Sequence, residues 1–476
     1  MKTIVKKLLA GLLCAGMLLA LAACGDSPAS SDPASEPDQE PPLPASLVSF
    51  SAKKPSASFF GDENLTYDAI ANYYIGSNVA GYISAYIQQL FGMQQCAFNC
   101  YAQPGSTISR IKQSVVSKCR NESADLIVIL LSDKDAQKYA ETNDEQYAAA
   151  AYKTAAEEML TAAAEKASCV ALVGPFTLSG DEAVRTAMAD YAAAAEQACQ
   201  VSEKAVYIPC QAALDEWAKQ GEITLESGSN TVLNANTQMR LAADVIQTLH
   251  MTSLNKRQKT DAVKNFTADF VIVTDGDSIT DAGRDQTITK EMNLGTGYPS
   301  LMKAYLLAEY GEQAPTVYNA AHSGYVAAQM SSSFRREVEP LQPNYLIIMV
   351  GINDAYSQWE LHSNDCSPEK YANTMKKLMH DFADAYDKVL FISPYYVDKP
   401  ESSTQRIEYV NDYITALKAV AEEYSNAQFL DFQSMLDARM DEIGYTKSTT
   451  ISPDKAHLTI EGHRLLLTAV LDALGI

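Results

Sequence analysis

The stretch "VIVTDGDSITDAG", residues 271–283, passes from a run of apolar, β-branched residues into a turn rich in glycine and aspartate. Such runs are typical of strands that are buried on both faces, as in a parallel sheet. Ser278 stands just after the run. A serine in a Gly/Asp-rich turn commonly caps its own backbone. This stretch alone therefore leaves open whether Ser278 is a nucleophile or an ordinary turn residue.

Similar apolar runs recur through the second half of the chain, with amphipathic helical segments between them. We predict strands at residues 269–276, 316–321, 345–351, 388–394 and 427–432. One helix has a clear start, because Ser367 is a favourable N-cap and Pro368 suits the first helical position. The alternation of strands and helices predicts a three-layer α/β/α fold with a parallel sheet. Ligands in this architecture bind at the carboxyl ends of the strands.

Polar residues follow the first three predicted strands, and a fourth polar group precedes the last helix. The four motifs are Gly276 to Thr280, Asn319 to Gly324, Gly351 to Asp354, and Asp454 to His457. They place a hydroxyl, an imidazole, a carboxylate, a carboxamide and a flexible glycine at one edge of the predicted sheet. Acyl transfer needs a nucleophile, a base, a group that orients the base, and donors for an oxyanion.

In order and spacing, these motifs resemble those of the SGNH hydrolases, also called GDSL-type lipases and acylhydrolases, over roughly residues 268–476. The resemblance implies a flavodoxin-like α/β/α domain and a serine esterase. It implies that Ser278 is the nucleophile, that His457 is the general base and that Asp454 orients the imidazole. It further implies an oxyanion hole made by the backbone N–H groups of Ser278 and Gly324 and the side-chain amide of Asn353.

The chain departs from this family pattern at Ala321, where a second glycine is common. We expect this change to affect the packing of the loop more than the chemistry. The cysteine spacing matches no standard zinc pattern, and no HExxH motif is present. We therefore predict neither a metal nor a cofactor.

The N-terminus predicts export. Residues 1–24 combine a basic start with a short apolar stretch that ends in small residues before Cys24. This pattern is typical of a secretory signal rather than of a spanning helix. With a cysteine at that place it resembles a bacterial lipobox, which implies a lipidated Cys24 and an extracytoplasmic, membrane-anchored protein. An ordinary cleaved signal peptide is the alternative.

Residues 25–54 are rich in proline, serine, alanine and acidic residues, a composition that predicts a disordered tether. The whole chain has a net charge of −22. It carries no basic stripe, which argues against a nucleic-acid partner. Two of the nine cysteines, Cys14 and Cys24, belong to the export segment. Export permits disulfides, but the pairing of the other seven cannot be read from the sequence.

The two halves of the chain show weak internal similarity. Matched pairs include Gly81-Tyr82 with Gly297-Tyr298, Asn99 with Asn319, Leu214-Asp215 with Leu436-Asp437, and Arg240 with Arg464. The separation between matched positions grows slowly and steadily along the chain. This drift predicts a tandem duplication, with SGNH-like domains at residues 55–250 and 266–476 that pack against each other within the chain.

The chemistry is not repeated in the first half. Ser278 aligns with Glu63 or Asn64, and Asn353 aligns near Asp133 or Lys134. Asp454 and His457 align with Asn230 and Leu233, and no histidine precedes His250. We expect residues 55–250 to be a catalytically degenerate domain that serves packing or ligand binding.

Five other residues lie near the motifs without a clear assignment. His463 is expected to be a packing or surface histidine, and His322 a plain loop histidine, although the latter could line the substrate pocket. Tyr395, Tyr396 and Trp359 could form an aromatic platform for a sugar or an acyl group, with ordinary loop packing as the alternative.

These features together predict a surface-tethered carboxylic-ester hydrolase whose substrate is a small-molecule or glycan ester, such as an acetylated glycan. A lipase or lysophospholipase and an acyltransferase would use the same triad. A non-catalytic surface binding protein is an alternative of a different class.

Overall fold

The computed structural model describes residues 44–65, 78–93, 95–220, 225, 232–284, 293–382, 385–397 and 404–476, without the side chains of 382 and 404–407. Residues 44–476 form one compact unit. The predicted signal segment with Cys24, most of the tether, and Asn230 lie outside the described residues.

The first half contains a five-stranded parallel sheet with helices on both faces. Its strands are β1 (Ser56–Gly61), β2 (Ala97–Ala102), β3 (Leu126–Ser132), β4 (Cys169–Phe176) and β5 (Ala205–Ile208), in the order β2-β1-β3-β4-β5. Its helices are α1 (Val79–Phe91), α2 (Ile108–Cys119), α3 (Lys134–Thr142), α4 (Ala149–Ala164), α5 (Glu182–Ala198), α6 (Gln211–Lys219) and α7 (Ala235–Thr248). A short helix, α8 (Asp261–Lys264), leads into the second half.

The second half repeats this architecture. Its strands are β6 (Val271–Gly276), β7 (Thr316–Asn319), β8 (Tyr345–Met349), β9 (Lys388–Ile392) and β10 (Ala427–Leu430), in the order β10-β9-β8-β6-β7 and all parallel. Its helices are α9 (Ser278–Asp281), α10 (Tyr298–Tyr310), α11 (Ala327–Glu337), α12 (Ile352–Leu361), α13 (Pro368–Phe382), α14 (Thr404–Glu422), α15 (Phe432–Ile443) and α16 (Ile460–Leu474).

The predicted fold class is confirmed. Each of the five strands predicted in the second half is present, and all but β6 end slightly before the predicted boundary. Numbered within its own half, each sheet has the strand order 2-1-3-4-5. This shared order supports the predicted duplication, which stays a prediction about the origin of the chain.

The packing of the two halves is continuous. Helices α2, α4 and α5 cover the outer face of the first sheet, and α11, α13 and α14 cover the outer face of the second. Helices α1, α7, α10 and α16 contribute to one apolar core that contains residues of both sheets. Removing so much apolar surface from water is the main contribution that holds the halves together.

Polar contacts cross the same interface. The Tyr86 hydroxyl donates to the carboxylate of Glu309, and its ring centroid lies 5.7 Å from that of Tyr305. The Nε2 atom of Gln247 donates to the backbone oxygen of Leu307 at 2.9 Å. Tyr86 and Tyr305 occupy equivalent positions in α1 and α10, counted from the start of each helix. Corresponding residues therefore meet, as they do across a two-fold axis between identical subunits.

The helix starts correct two alignments between the halves. Asn78 caps α1 and Gly297 caps α10, so Gly297 corresponds to Asn78 rather than to Gly81. Asn234 caps α7 and Thr459 caps α16, so these two residues correspond as well. His457 consequently corresponds to Val232, not to Leu233. Sequence matching went wrong here because glycine, tyrosine and leucine recur near these helix starts.

The predicted tether ends earlier than residue 54. Val48 is only 2% exposed and belongs to the shared core, and Phe50 packs against Phe91 with ring centroids 5.2 Å apart. The backbone N–H of Leu47 donates to the backbone oxygen of Leu249. Apolar side chains in "SLVSF" fix this segment to the body, where a purely polar linker would not be held.

Within the described part of the chain, the seven cysteines from Cys96 to Cys366 are thiols that form no disulfide. None of the helices described above combines the length and the apolar character that crossing a membrane requires. Over the same residues, no three His, Cys, Asp or Glu side chains are grouped closely enough to hold a metal ion.

Candidate active site

Ser278 lies at the carboxyl edge of the second sheet, on the first residue of α9. Strand β6 ends at Gly276, whose φ of +154° is rarely adopted by L side chains. A Cβ atom at that position would meet the backbone oxygen of Met349 at 2.0 Å, so only glycine fits. Asp277 then caps α9 by accepting from the N–H of Ile279 at 3.1 Å. This tight turn presents the hydroxyl of Ser278 at the end of the strand.

The structure brings Ser278, His457 and Asp454 together. The Oγ atom of Ser278 lies 2.9 Å from Nε2 of His457. The Nδ1 atom of His457 lies 2.7 Å from Oδ2 of Asp454. A hydroxyl, an imidazole and a carboxylate in this order can move a proton from the hydroxyl to the imidazole while the carboxylate fixes the tautomer.

The loop that carries the imidazole is held by its own backbone. The Oδ1 atom of Asp454 accepts from the N–H groups of His457 at 2.7 Å and of Ala456 at 3.0 Å. The buried Tyr395 hydroxyl donates to the backbone oxygen of Ala456. Val397 N–H donates to the backbone oxygen of Lys455 at 3.0 Å. These bonds fix the imidazole before any substrate arrives, which limits the cost of orienting it.

Two of the three predicted oxyanion donors line the cavity beside Ser278. Ser278 and Asn353 are both lining residues of that cavity. Asn353 donates one amide hydrogen to the backbone oxygen of Tyr325 at 3.0 Å, which leaves the second hydrogen for a substrate oxygen. Gly324 is exposed on the neighbouring loop with a φ of +82° and is not among the cavity-lining residues.

The loop from Asn319 to Gly324 is positioned by two residues that the sequence analysis did not single out. Asp281 accepts from the backbone N–H of Ser323 at 2.9 Å. The buried guanidinium of Arg284 donates to the backbone oxygens of Asn319 at 2.7 Å and Ala321 at 2.6 Å. Arg284 also pairs with Asp281. In the sequence, only the position of Asp281 and Arg284 just after the GDSIT motif pointed to a role at the site. That position does not indicate which backbone groups the two side chains bind.

A cavity of about 320 Å³ opens at the triad. The aromatic side chains among its lining residues are Tyr356, Trp359, Tyr396 and Tyr409. Trp359 and Tyr396 therefore lie where an aromatic platform was anticipated, whereas Tyr395 is fully buried and packs against Phe432. Tyr356 and Tyr409 were not anticipated. The three-residue spacing of Tyr356 and Trp359 on one helix could have suggested that they share a face.

The two other histidines singled out from the sequence, His463 and His322, have structural positions. His463 is 3% exposed, and its Nδ1 accepts from the backbone N–H of Tyr298 at 3.3 Å. Burial, aided by the nearby His457, lowers the pKa of His463 to about 3, so it is neutral. His322 lies 2.5 Å from the Glu337 carboxylate and stacks on Tyr325 at 4.6 Å between ring centroids. Neither histidine lines the cavity beside Ser278.

The carboxyl groups near the site differ in their protonation behaviour. Desolvation alone would raise the pKa of Asp454, but the hydrogen bonds from His457 and Ala456 outweigh it and the pKa lies below its usual range. Burial raises the pKa of Asp277 to about 7, with a further contribution from Asp354. Burial likewise raises the pKa of Asp354 to about 7. Asp454 is thus ionised as the partner of an imidazole must be, whereas Asp277 takes up a proton near neutral pH.

The raised pKa of Asp277 predicts a pH-dependent stability. Between about pH 4 and pH 7 the folded protein keeps this proton and the unfolded chain loses it, so the free energy of unfolding falls as the pH rises. Asp277→Asn keeps an acceptor for the Ile279 N–H and cannot ionise. We expect urea unfolding of the variant to show a smaller loss of stability between pH 4.5 and 7.5, by up to roughly 3 kcal/mol. The exposed Asp190→Asn serves as control, and equal slopes in wild type and Asp277→Asn would contradict the expectation.

The corresponding edge of the first sheet lacks this constellation. Glu63 stands where Ser278 stands, since Asp62 accepts from Asn64 N–H at 3.0 Å just as Asp277 accepts from Ile279. No histidine precedes His250 in the chain. The first sheet therefore has no hydroxyl at the position of Ser278 and no imidazole at this edge.

The family model that matches the chain is that of the GDSL-like Lipase/Acylhydrolase family, over residues 276–465. Residues 276–465 belong to this family. The matched region contains Ser278, Gly324, Asn353, Asp454 and His457, and this part of the chain is accordingly a carboxylic ester hydrolase.

Relatives of known identity match less than half of the chain. An acetylxylan esterase from Geobacillus stearothermophilus is 27% identical over 205 residues, which cover 42% of this chain and 91% of the relative. Among solved structures, an α/β hydrolase enzyme from the metagenome of Lake Arreo, Spain, is 28% identical in sequence and has a TM-score of 0.41. The match covers 44% of this chain and 97% of the hydrolase chain. The crystal structure of the Geobacillus stearothermophilus acetylxylan esterase is 25% identical in sequence and has a TM-score of 0.40. The match covers 44% of this chain and 96% of the esterase chain.

Proposed function

We propose that the second half hydrolyses esters through an acyl-enzyme on Ser278. The observation that carries this proposal is the continuous contact from Ser278 Oγ through His457 to Asp454, at 2.9 and 2.7 Å. The Oγ atom attacks the ester carbonyl carbon while His457 Nε2 takes the hydroxyl proton. The carbon–oxygen bond to the alcohol then breaks, and His457 returns the proton to the departing alkoxide. A water molecule then gives a proton to His457 and attacks the carbonyl carbon of the acyl-enzyme. The bond to Ser278 Oγ breaks, His457 returns the proton to Oγ, and the acid is released.

The carbonyl oxygen becomes negative at each attack and needs donors in place. We assign this role to the N–H groups of Ser278 and Gly324 and to the free amide hydrogen of Asn353. Each such donor contributes about 10²–10³ in rate, and the positioned base contributes about 10²–10⁴. Asp454 stabilises the imidazolium that forms during attack.

As substrate we propose short acyl esters on sugars, acetyl groups on a glycan above all. The similarity to an acetylxylan esterase supports this assignment. Four aromatic rings line the cavity beside the triad, and flat aromatic surfaces suit the apolar faces of sugar rings. The exposed phenol of Tyr356 and the indole of Trp359 lie in contact, with ring centroids 6.4 Å apart.

The aromatic surface can be tested through Trp359. Trp359→Ala should raise KM for acetylated xylo-oligosaccharides about tenfold, equivalent to about 1.4 kcal/mol of binding. KM and kcat for p-nitrophenyl acetate should change little, because that small ester does not extend over the ring. Trp217→Ala is the matched control, since Trp217 is the other tryptophan of the chain and lies in the first half, against Arg240. A parallel loss on both substrates would show that Trp359 supports the fold of the site instead.

A panel of acyl chain lengths separates the alternatives. A deacetylase prefers acetyl over long-chain p-nitrophenyl esters, whereas a lipase or lysophospholipase shows the reverse preference. An acyltransferase is recognised by its products. When an acceptor alcohol is added, it forms more of the new ester and less of the free acid. A strong preference for long acyl chains would contradict the proposed substrate class. It would not contradict the assignment of the protein as an ester hydrolase.

We further propose that the protein is exported and held at the membrane through a lipidated Cys24. The basic, apolar and small-residue order of residues 1–24 supports this proposal. Cys24→Ser should move the protein from the membrane fraction to the soluble fraction, because lipidation needs the thiol and two or more acyl chains give stable attachment. Fractionation with an immunoblot measures the shift. Cys24→Ser protein retained in the membrane would favour an uncleaved apolar segment.

A further inference from the structure

The carboxyl edge of the first sheet has the same backbone arrangement as the loop of the second to which we assign an oxyanion donor. Gln103 N–H donates to the backbone oxygen of Gly61 at 2.8 Å, and His322 N–H donates to that of Gly276 at 3.1 Å. Two residues further along each loop stands a glycine with positive φ, namely Gly105 at +66° and Gly324 at +82°. Gly105 is therefore the counterpart of the oxyanion donor Gly324.

The counterpart of Asn353 follows from a second shared bond. Asp135 accepts from the N–H of Ile108 at 2.8 Å, as Asp354 accepts from the N–H of Ala327 at 3.0 Å. The residue before each aspartate is Lys134 in the first half and Asn353 in the second. A cation thus replaces the amide donor of the active site.

Both counterparts bind the side chain of Glu63. Its Oε2 accepts from the backbone N–H of Gly105 at 2.8 Å. Its Oε1 lies 3.4 Å from Nζ of Lys134. Glu63 itself occupies the place of Ser278, so its side chain extends from the nucleophile position to the donors that would face a developing oxyanion.

We propose that this edge of the first sheet is a binding site for a small monocarboxylate, which the protein fills with its own Glu63. A lysine suits a carboxylate better than the amide at Asn353 does, because a carboxylate carries a full negative charge and a charge-assisted bond is the stronger one. Acetate is the matching ligand. Replacing Glu63 by alanine removes Cγ, Cδ and both carboxylate oxygens. These two carbons and two oxygens match the non-hydrogen atoms of acetate.

The site is close enough to solvent for a ligand to enter. The side chains of Glu63 and Lys134 are 12% and 20% exposed, and Gly105 is exposed. A Cβ at Gly105 would meet no atom within 4 Å. Acetate can therefore reach the donors once the Glu63 side chain is removed.

The test uses the full chain and three variants. We expect Glu63→Ala to bind one more acetate than wild type, with a dissociation constant in the millimolar range, measured by NMR titration with ¹³C-labelled acetate. Glu63→Gln should gain no site, because the amide still fills the space and still accepts from Gly105. Glu63→Ala/Lys134→Met should bind acetate at least tenfold more weakly than Glu63→Ala, since the cation is gone.

Esterase activity in the same samples reports whether each variant is folded, and it does not depend on the proposed acetate site. Acetate bound at the Ser278 site appears equally in all variants and cancels in the comparison. An active Glu63→Ala protein without the extra acetate would overturn the proposal, as would equal binding by the Lys134→Met double variant or by Glu63→Gln. If Glu63→Ala is unfolded, Glu63→Ser is titrated with formate instead. An extra bound formate then supports the proposal, and its absence from folded Glu63→Ser protein overturns it.

Discussion

Replacement of Ser278 by alanine is expected to lower kcat/KM for p-nitrophenyl acetate by about 10³–10⁶. The variant removes the atom that lies 2.9 Å from His457 Nε2. It leaves the Asp277 cap of α9 and the glycine turn before it intact. The melting temperature should therefore stay within a few degrees of that of wild type, since a partly exposed side chain at a turn contributes little to the core.

Ser332→Ala provides the matched control for this substitution. Ser332 is a serine on α11 whose hydroxyl donates to the backbone oxygen of Ala328, away from the cavity. It should retain full activity. Mass spectrometry after treatment with a fluorophosphonate should place the adduct on Ser278 in wild type. Turnover by Ser278→Ala near the wild-type rate, or an adduct on another serine, would refute the nucleophile assignment.

Replacement of His457 by alanine is expected to cost activity on the same scale, about 10³–10⁶. Among the described residues, His457 is the only histidine that lines the cavity beside Ser278, so no other imidazole is placed to take over. Asp454→Asn should cost less, since the imidazole itself remains. His380→Ala, at a position on α13 whose side chain is 85% exposed, is the control. Activity in His457→Ala above a few per cent of wild type would mean that another group accepts the proton.

Much of the fold was predictable from local pattern. Continuous apolar runs such as residues 345–351 can only be buried on both faces, which indicates a parallel sheet between helices. Strand β8 ends earlier than predicted because Gly351, inside the predicted run, caps α12 instead of extending the ladder. Parallel strands bring their carboxyl ends to one edge, which placed the polar motifs together. The roles of Ser278, Asp454 and His457 came from the resemblance to the SGNH hydrolases.

Contacts set by tertiary packing were not predictable. Asp281 and Arg284 hold the loop before Gly324 from across the sheet edge. The pairing of Glu63 with Gly105 and Lys134 joins three segments that no local pattern connects. The correspondence between the last helices of the two halves became visible only through their caps, Asn234 and Thr459.

The shared core of α1, α7, α10 and α16 bears on why the first half is retained at all. A half without a nucleophile or a base has no catalytic reason to persist. Its loss would uncover an apolar surface around Tyr305 and Leu306, both at most 1% exposed, and such surfaces cause aggregation. The need to keep this surface covered is a physical reason to preserve the first half. Its outer loops are meanwhile free to change, so that variation should concentrate there and spare the helices that face the enzyme half.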